Sequence, residues 1–261
     1  MIFAARDLSF SYERTPVLRE ICLGVAEGDA LCVVGPNGAG KSTLVKLLGG
    51  LLSGYAGELA FRGRPLRAWK AMELARRVAY VPQQLGMAFP YSARDVVLMG
   101  RLPHQAGSLF ESERDRAAVE SALADADVAH LADRAFQDLS GGERQLVVLA
   151  SALAQEPAVM LLDEPGAFLD LRHQLLMARK LRQLHRERGL TLVLVSHDLD
   201  LAEALATRVL MLREGRVRHE VSPGPDGGVR LTPGMISEVF DVDAELIEES
   251  GRRRIAVAWG R

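Results

Sequence analysis

Apolar and polar side chains alternate over residues 2–12 and again over 17–26, the period of strands with one face covered. Positions 30–34, ALCVV, are apolar throughout and predict a strand covered on both faces, running into a glycine-rich loop and a helix over Ser42–Leu52. Further strands are expected near 57–62, ending at Gly63, and at Val78–Pro82, ahead of a loop that holds Gln83 and Gln84. From about 92 to 155 the period changes to helical, over Ala93–Gly100, Glu111–Asp125 and Gly141–Gln155, which reads as an inserted helical lobe. Strand patterning returns at Ala158–Leu162 and Leu190–Ser196 with a helix, Leu169–Arg188, between them. That alternation predicts an α/β chain with a parallel sheet and crossover helices. After a break at Gly224–Gly228, a tail with one helix, Pro233–Phe240, and one strand, Arg254–Ala258, completes the pattern.

Composition narrows the function classes. Thirty-two Lys and Arg against 34 Asp and Glu leave no strong field to recruit nucleic acid or an anionic bilayer, so any phosphate chemistry is local. Both cysteines, Cys22 and Cys32, fall in strand-like runs and are expected as small core residues in a reducing compartment. No apolar run reaches the roughly 18 residues of a membrane span, and the start of the chain lacks a signal-peptide pattern, so a soluble, cytosolic chain is expected.

Three constellations carry chemistry. GPNGAGKS (Gly35, Pro36, Asn37, Gly38, Ala39, Gly40, Lys41, Ser42) matches the phosphate-loop pattern between a strand and a helix, where backbone N–H groups and a helix start meet a polyphosphate. Lys41 is expected to bridge the β- and γ-phosphates, Ser42 to place its hydroxyl on Mg²⁺, and Thr43 to add a contact near the α-phosphate. In AVMLLDEP, 158–165, an apolar strand ends in adjacent carboxylates: Asp163 can reach Mg²⁺ and Glu164 can orient an attacking water. In LSGGERQ, 139–145, Ser140 with the amides of Gly141 and Gly142 forms a second anion-binding helix start. Ser140 and Glu143 also fit a plain capping box, although capping does not require the double glycine.

With LSGGE in place, residues 8 to 213 resemble the ATP-binding cassette ATPases, whose elements occur here in the family's order: Tyr12, the phosphate loop, Gln83, the signature, Asp163–Glu164, Asp170 and His197. The resemblance implies a P-loop NTPase fold with a RecA-like, mostly parallel sheet core, an N-terminal antiparallel β-subdomain and an inserted helical subdomain. It divides the chain into an ATPase domain over 1–222, with the lobe at about 86–155, and a C-terminal extension over 223–261. It also implies ATP and Mg²⁺ as ligands, with Tyr12 stacked on adenine, Gln83 sensing the γ-phosphate and the metal, Asp170 at a subunit interface and His197 on the γ-phosphate. Glu164, His197, Gln83 and Lys41 are then the catalytic residues, and Ser42, Gln83 and Asp163 the metal-facing ones. Two copies are expected to pair head to tail with each nucleotide between one chain's phosphate loop and the other's signature. Integral-membrane permease subunits, and indirectly a substrate-binding protein, are the further partners, which places the chain on the cytoplasmic face of the membrane.

FPYSARDVVLMGRLPH, 89–104, and LTPGMISEVFDVD, 231–243, resemble the ATPases of importers for iron chelates, haem, cobalamin and related metal or oxyanion cargo. The other readings are a soluble ATPase of a cytosolic assembly such as iron–sulfur-cluster biogenesis, and a binding module that uses ATP as a conformational ligand without productive turnover. Leu146 and Ser151 stand where the family usually carries Arg, and Gly166, Ala167 and Phe168 where it usually carries a hydroxyl. These departures bear on the dimer interface and predict slower turnover or a shifted dimer equilibrium.

Overall fold

The computed structural model describes residues 1–83, 89–105, 111–167, 169–224, 227–249 and 252–258; Gln84 and Phe168 lie outside them. In chain order its elements begin with strands β1 (Phe3–Tyr12), β2 (Thr15–Val25) and β3 (Ala30–Val34), and helix α1 (Lys41–Leu48). Strands β4 (Ala56–Phe61) and β5 (Arg64–Pro65), helix α2 (Ala71–Ala75) and strand β6 (Val78–Val81) follow. The lobe supplies α3 (Ala93–Met99), α4 (Glu113–Asp125) and α5 (Gly141–Ala154). Then come β7 (Val159–Asp163), α6 (Leu171–Arg188), β8 (Thr191–Val195), α7 (Leu199–Leu205), β9 (Arg208–Arg213) and β10 (Arg216–Val221). Helix α8 (Pro233–Phe240) and the hairpin β11 (Asp243–Glu249) with β12 (Arg252–Ala258) close the chain.

The central sheet has the order β10-β9-β3-β8-β7-β6, parallel except for β10, which returns antiparallel on β9. Apart from the edge strand β10, which is mostly exposed or half-buried, its strands are largely buried on both faces, and the period of two sorts their residues. Ala30, Cys32 and Val34 join the core shared with the lobe, α6, α7 and α8. Leu31 and Val33 join the core shared with α1 and an antiparallel sheet of order β2-β1-β4-β5. The parallel order sets β3 and β7 on either side of β8, so the loops after β3 and β7 open at one sheet edge, where ligands bind in such sheets.

Several expected boundaries move for local reasons. Helix α1 stops at Leu48, not Leu52, because Gly49 caps it and Gly50 turns left-handed at φ 69°. Ser112 and Asp170 are N-caps, so α4 and α6 begin at Glu113 and Leu171. Cys22 is exposed, which corrects the reading of both cysteines as core: the pleat of β2 turns Ile21, Leu23 and Val25 inward and Cys22 outward. Cys32 is buried, and burial together with the charge of Asp198 pushes its thiol up to about 12, leaving it unreactive. The tail holds a hairpin where a single strand was expected.

The lobe is pinned by a buried ion pair. Arg101 is 1% exposed; its guanidinium donates to Asp115 Oδ1 (2.8 Å), the Ala154 carbonyl (2.7 Å) and Glu156 Oε2 (2.8 Å). This one side chain joins the segment after α3 to α4 and to the end of α5. Gly100 beside it has no room for a Cβ, which would sit 2.0 Å from the Ser151 carbonyl oxygen.

Candidate functional site

The phosphate loop is wedged between three strands. A Cβ at Gly35 would lie 2.1 Å from the Leu212 carbonyl oxygen of β9. Gly40 caps α1 at φ 98°, left-handed, with Leu18 of β2 2.6 Å from its would-be Cβ. The loop's close backbone approach thus costs no side-chain strain, and α1 carries no acidic residue in its first turn to compete with an anion. Thr43 is buried on the same helix. Lys41 is 5% exposed and its Nζ donates to the carbonyls of Gly35 (2.8 Å) and Pro36 (3.0 Å). Burial pulls its ammonium below the usual lysine range, opposed by the charges of Glu164 and Asp163.

Beside the loop, the end of β7 brings the expected carboxylates into place. Asp163 is buried; its Oδ1 accepts from the Ser42 hydroxyl (2.7 Å) and its Oδ2 from the Tyr80 hydroxyl (3.0 Å). Glu164 adopts a left-handed backbone at φ 48° while its N–H donates to the Val195 carbonyl of β8 (3.1 Å). A non-glycine residue held there is strained, a cost that folded scaffolds concentrate at functional positions. Gln83 Nε2 donates to Glu164 Oε2 (3.1 Å), and His197 Nδ1 lies 3.6 Å from the same oxygen. Lys41, Ser42, Gln83, Asp163, Glu164 and His197, from four separate stretches of sequence, therefore meet at one sheet edge.

Tyr80 was not legible as a site residue. It sits in a four-residue strand, and only the pairing of Tyr80 with Leu161 in the neighbouring strand brings its hydroxyl within reach of the Asp163 carboxylate. Burial and the Asp163 charge raise its phenol well above the usual range, so it stays a donor. Tyr80→Phe is expected to destabilise the fold by about 1.5–3 kcal/mol, the range for a hydrogen bond to a charged group. A lower denaturant midpoint at unchanged slope would register that loss; an unchanged midpoint would remove Tyr80 from the site.

The remaining expected residues lie apart from this cluster. Tyr12, at the end of β1, is 44% exposed and meets Phe10 edge-on with ring centroids 4.9 Å apart. Ser140 caps α5 through its hydroxyl, which accepts from the Glu143 N–H (3.3 Å), while Glu143 Oε2 accepts from the Ser140 N–H (2.8 Å). That backbone bond draws the Glu143 carboxyl below the usual range. Among the described residues nothing lies within 4 Å of a Cβ built at Gly141, whereas one at Gly142 would meet the His173 ring at 2.1 Å. Asp170 caps α6, accepting from the His173 N–H and Nδ1, each at 2.8 Å. No described hydrogen bond of Ser140 or Asp170 joins it to Lys41, Asp163 or Glu164 of the same chain. Of the departures, Leu146 packs against the core shared with the lobe, and the Gly166 carbonyl accepts from Gln174 (3.3 Å).

A family model described as ABC transporter matches residues 18–167. The hemin import ATP-binding protein HmuV of Streptomyces coelicolor is 44% identical over 246 residues, covering 94% of this chain and 85% of that protein. A chain of a solved ABC transporter ascribed to the metal-chelate type, in an inward-facing conformation, is 27% identical, with a TM-score of 0.83 over 99% of this chain and 97% of its own. A bacterial ABC transporter cassette solved as a dimer is 26% identical, with a TM-score of 0.74 over 84% of this chain and 98% of its own. The shared fold, the phosphate loop and the matched family model agree: this chain belongs to the ABC transporter family.

Proposed function

We propose that this chain is the ATP-hydrolysing subunit of an importer for hemin or a related metal chelate. The observation that carries the enzymatic part is the Glu164 carboxylate, held against Gln83 and His197 beside the joined Ser42–Asp163 pair and the loop that bears Lys41. The loop's amides and Lys41 hold the phosphates. Glu164 takes the proton of the water that attacks the γ-phosphorus as the bond to the β-phosphate oxygen breaks, giving ADP and phosphate. His197 and Gln83 keep that carboxylate in position, and Tyr12 offers its exposed ring to adenine. The Ser42 hydroxyl and the Asp163 carboxylate are adjacent oxygen donors of the kind Mg²⁺ accepts, few enough to leave room for waters and phosphate oxygens, and they would hold it. When bound, Mg²⁺ neutralises phosphate charge.

Two observations support a nucleotide shared with a second copy. Ser140 and Asp170 make their described own-chain bonds away from the phosphate loop, and Gly141 faces space that none of the described residues fills. The glycine-bearing start of α5, capped by Ser140, then serves a phosphate brought by the partner copy, head to tail. Residues 1–222 form the ATPase unit with the lobe at about 86–155. The segment 223–261 is an extension docked through Ile236 and Val239 on the central sheet's core. No helix among the described residues is long and apolar enough to cross a membrane. The similarity to an import ATP-binding protein supports a separate permease for the cargo path, with this chain on its cytoplasmic face and a substrate-binding protein acting on the far side. The similarity to a hemin import subunit and to a metal-chelate transporter chain supports the cargo class.

The test is purification of the tagged chain from detergent-solubilised membranes of its own cell. A polytopic permease whose uptake of hemin or a metal chelate stops when this chain is deleted is the expected companion. Recovery with a soluble iron–sulfur scaffold, or with an exporter, would contradict the importer reading and leave the ATPase standing.

A further inference from the structure

We infer that His173 is a positioning residue that fastens the Asp170 loop to the LSGGE helix start, so that the two surfaces offered to the partner's nucleotide move as one piece. The inference rests on the shared-nucleotide reading and adds the part that makes the two surfaces act together. Its first support is a tether: Asp170 Oδ1 accepts from both the N–H and the Nδ1 of His173, which fixes the ring's direction. The second is contact on the opposite edge of the ring, whose Cδ2 and Nε2 fill the space where a Cβ on Gly142 would stand, at 2.1 and 2.6 Å.

Gly142 is therefore a glycine for its own chain's sake, whereas none of the described residues demands one at Gly141. A side chain at 142 would push the imidazole outward and off Asp170. The placement is mechanically apt, because α5 belongs to the helical lobe and α6 to the layer on the central sheet. Below His173, the same helix α6 meets the lobe twice more, through Lys180 with Asp127 and through Arg188 with Asp125 (2.5 Å). These rungs fall at 173, 180 and 188, about two turns apart and on one face. His173 is the rung next to the nucleotide, one wall of a cleft of about 280 Å³ shared with Glu143, Leu146 and Leu176.

Steady-state ATP hydrolysis, nucleotide binding to the isolated chain, and thermal unfolding are measured for the parent, His173→Ala, His173→Asn, Gly142→Ala and the Gly142→Ala/His173→Ala pair. His173→Ala is expected to lower kcat about tenfold with the monomer's Kd for nucleotide within about twofold, the scale of a coupling free energy between sites. His173→Asn, whose amide nitrogen can replace Nδ1 toward Asp170, is expected to recover about a third of the parent rate or more. Gly142→Ala alone is expected to cost about 30-fold, yet less than about threefold further once His173 is already Ala, because the ring it displaces is gone. Multiplying losses from Gly142→Ala and His173→Ala, or a His173→Asn variant no better than His173→Ala, would overturn the link, as would an equal change in nucleotide Kd. A loss of folding in His173→Ala would show in the unfolding midpoint, and the His173→Asn rescue then decides the matter. A parent that does not hydrolyse ATP at all would instead bring down the ATPase reading, and the inference with it.

Discussion

Glu164→Gln is expected to keep ATP affinity and to hydrolyse ATP about 10²–10⁴-fold more slowly, the usual loss when a general base is removed. The exchange is nearly isosteric. It leaves the left-handed backbone at 164 and its N–H bond to Val195 in place, and the new amide can still accept from Gln83 through its oxygen. What disappears is the anionic oxygen that meets Gln83 and His197 and that can take a proton from water. The binding groups, Lys41 with the loop amides, are untouched, so affinity and turnover should separate. A phosphate-release assay on the purified variant that returned a rate within about threefold of the parent would end the role given to Glu164.

Arg101→Met is expected to destabilise the chain by about 3–5 kcal/mol, because removing one partner of a buried pair leaves the other charge uncompensated. Arg101 is fully enclosed, Asp115 is 5% exposed, and the Ala154 carbonyl loses its donor at the same time. Chemical denaturation reads this directly, and a change below about 0.5 kcal/mol would put the lobe's cohesion elsewhere. The pair also sets an acid limit. The Ser112 hydroxyl bond draws the Asp115 carboxyl to about 2; burial opposes it and the bond to Arg101 adds to it. Its folded pKa lies below the ordinary value of about 3.9, so its contribution is complete above about pH 4 and fades as pH falls toward 2. Asp115→Asn should flatten the dependence of stability on pH in that window.

The phosphate loop, the carboxylates after β7 and the LSGGE helix start were legible in the sequence because each is a local pattern in which backbone and side chain act within a few residues. The buried strands were legible for the same reason, as continuous apolar runs. Tyr80 and His173 were not, since a tyrosine in a short strand and a histidine on a helix acquire a role only when β6 pairs with β7 and α6 docks against α5. Strands β9 and β10 carry a weaker signal, two β-rich runs around Glu214–Gly215, which in the fold both take positive φ, the pattern of a tight hairpin. Cys22 was misplaced because an apolar run does not say which way the pleat turns; the pairing of β2 with β1 decides it. The stretch 89–104, read from resemblance as a mark of cargo class, contains the buried Arg101, and the Ser92–Asp95 capping box at its start is local helix chemistry.

The central claim is that one chain's phosphate loop and the other chain's signature hold the same nucleotide, and counting trapped ATP in tagged mixed dimers tests it most directly. Both chains carry Glu164→Gln to stop turnover. In the first mixture one chain has Lys41→Ala and its partner Ser140→Arg, so both defects fall in one shared site and the other site is intact. About one nucleotide per dimer is expected to be retained. In the second mixture both substitutions sit in one chain opposite a chain with neither, each shared site has one defect, and retention should vanish. Retention in the second mixture with none in the first would mean that each chain uses its own two motifs, and would contradict the shared site.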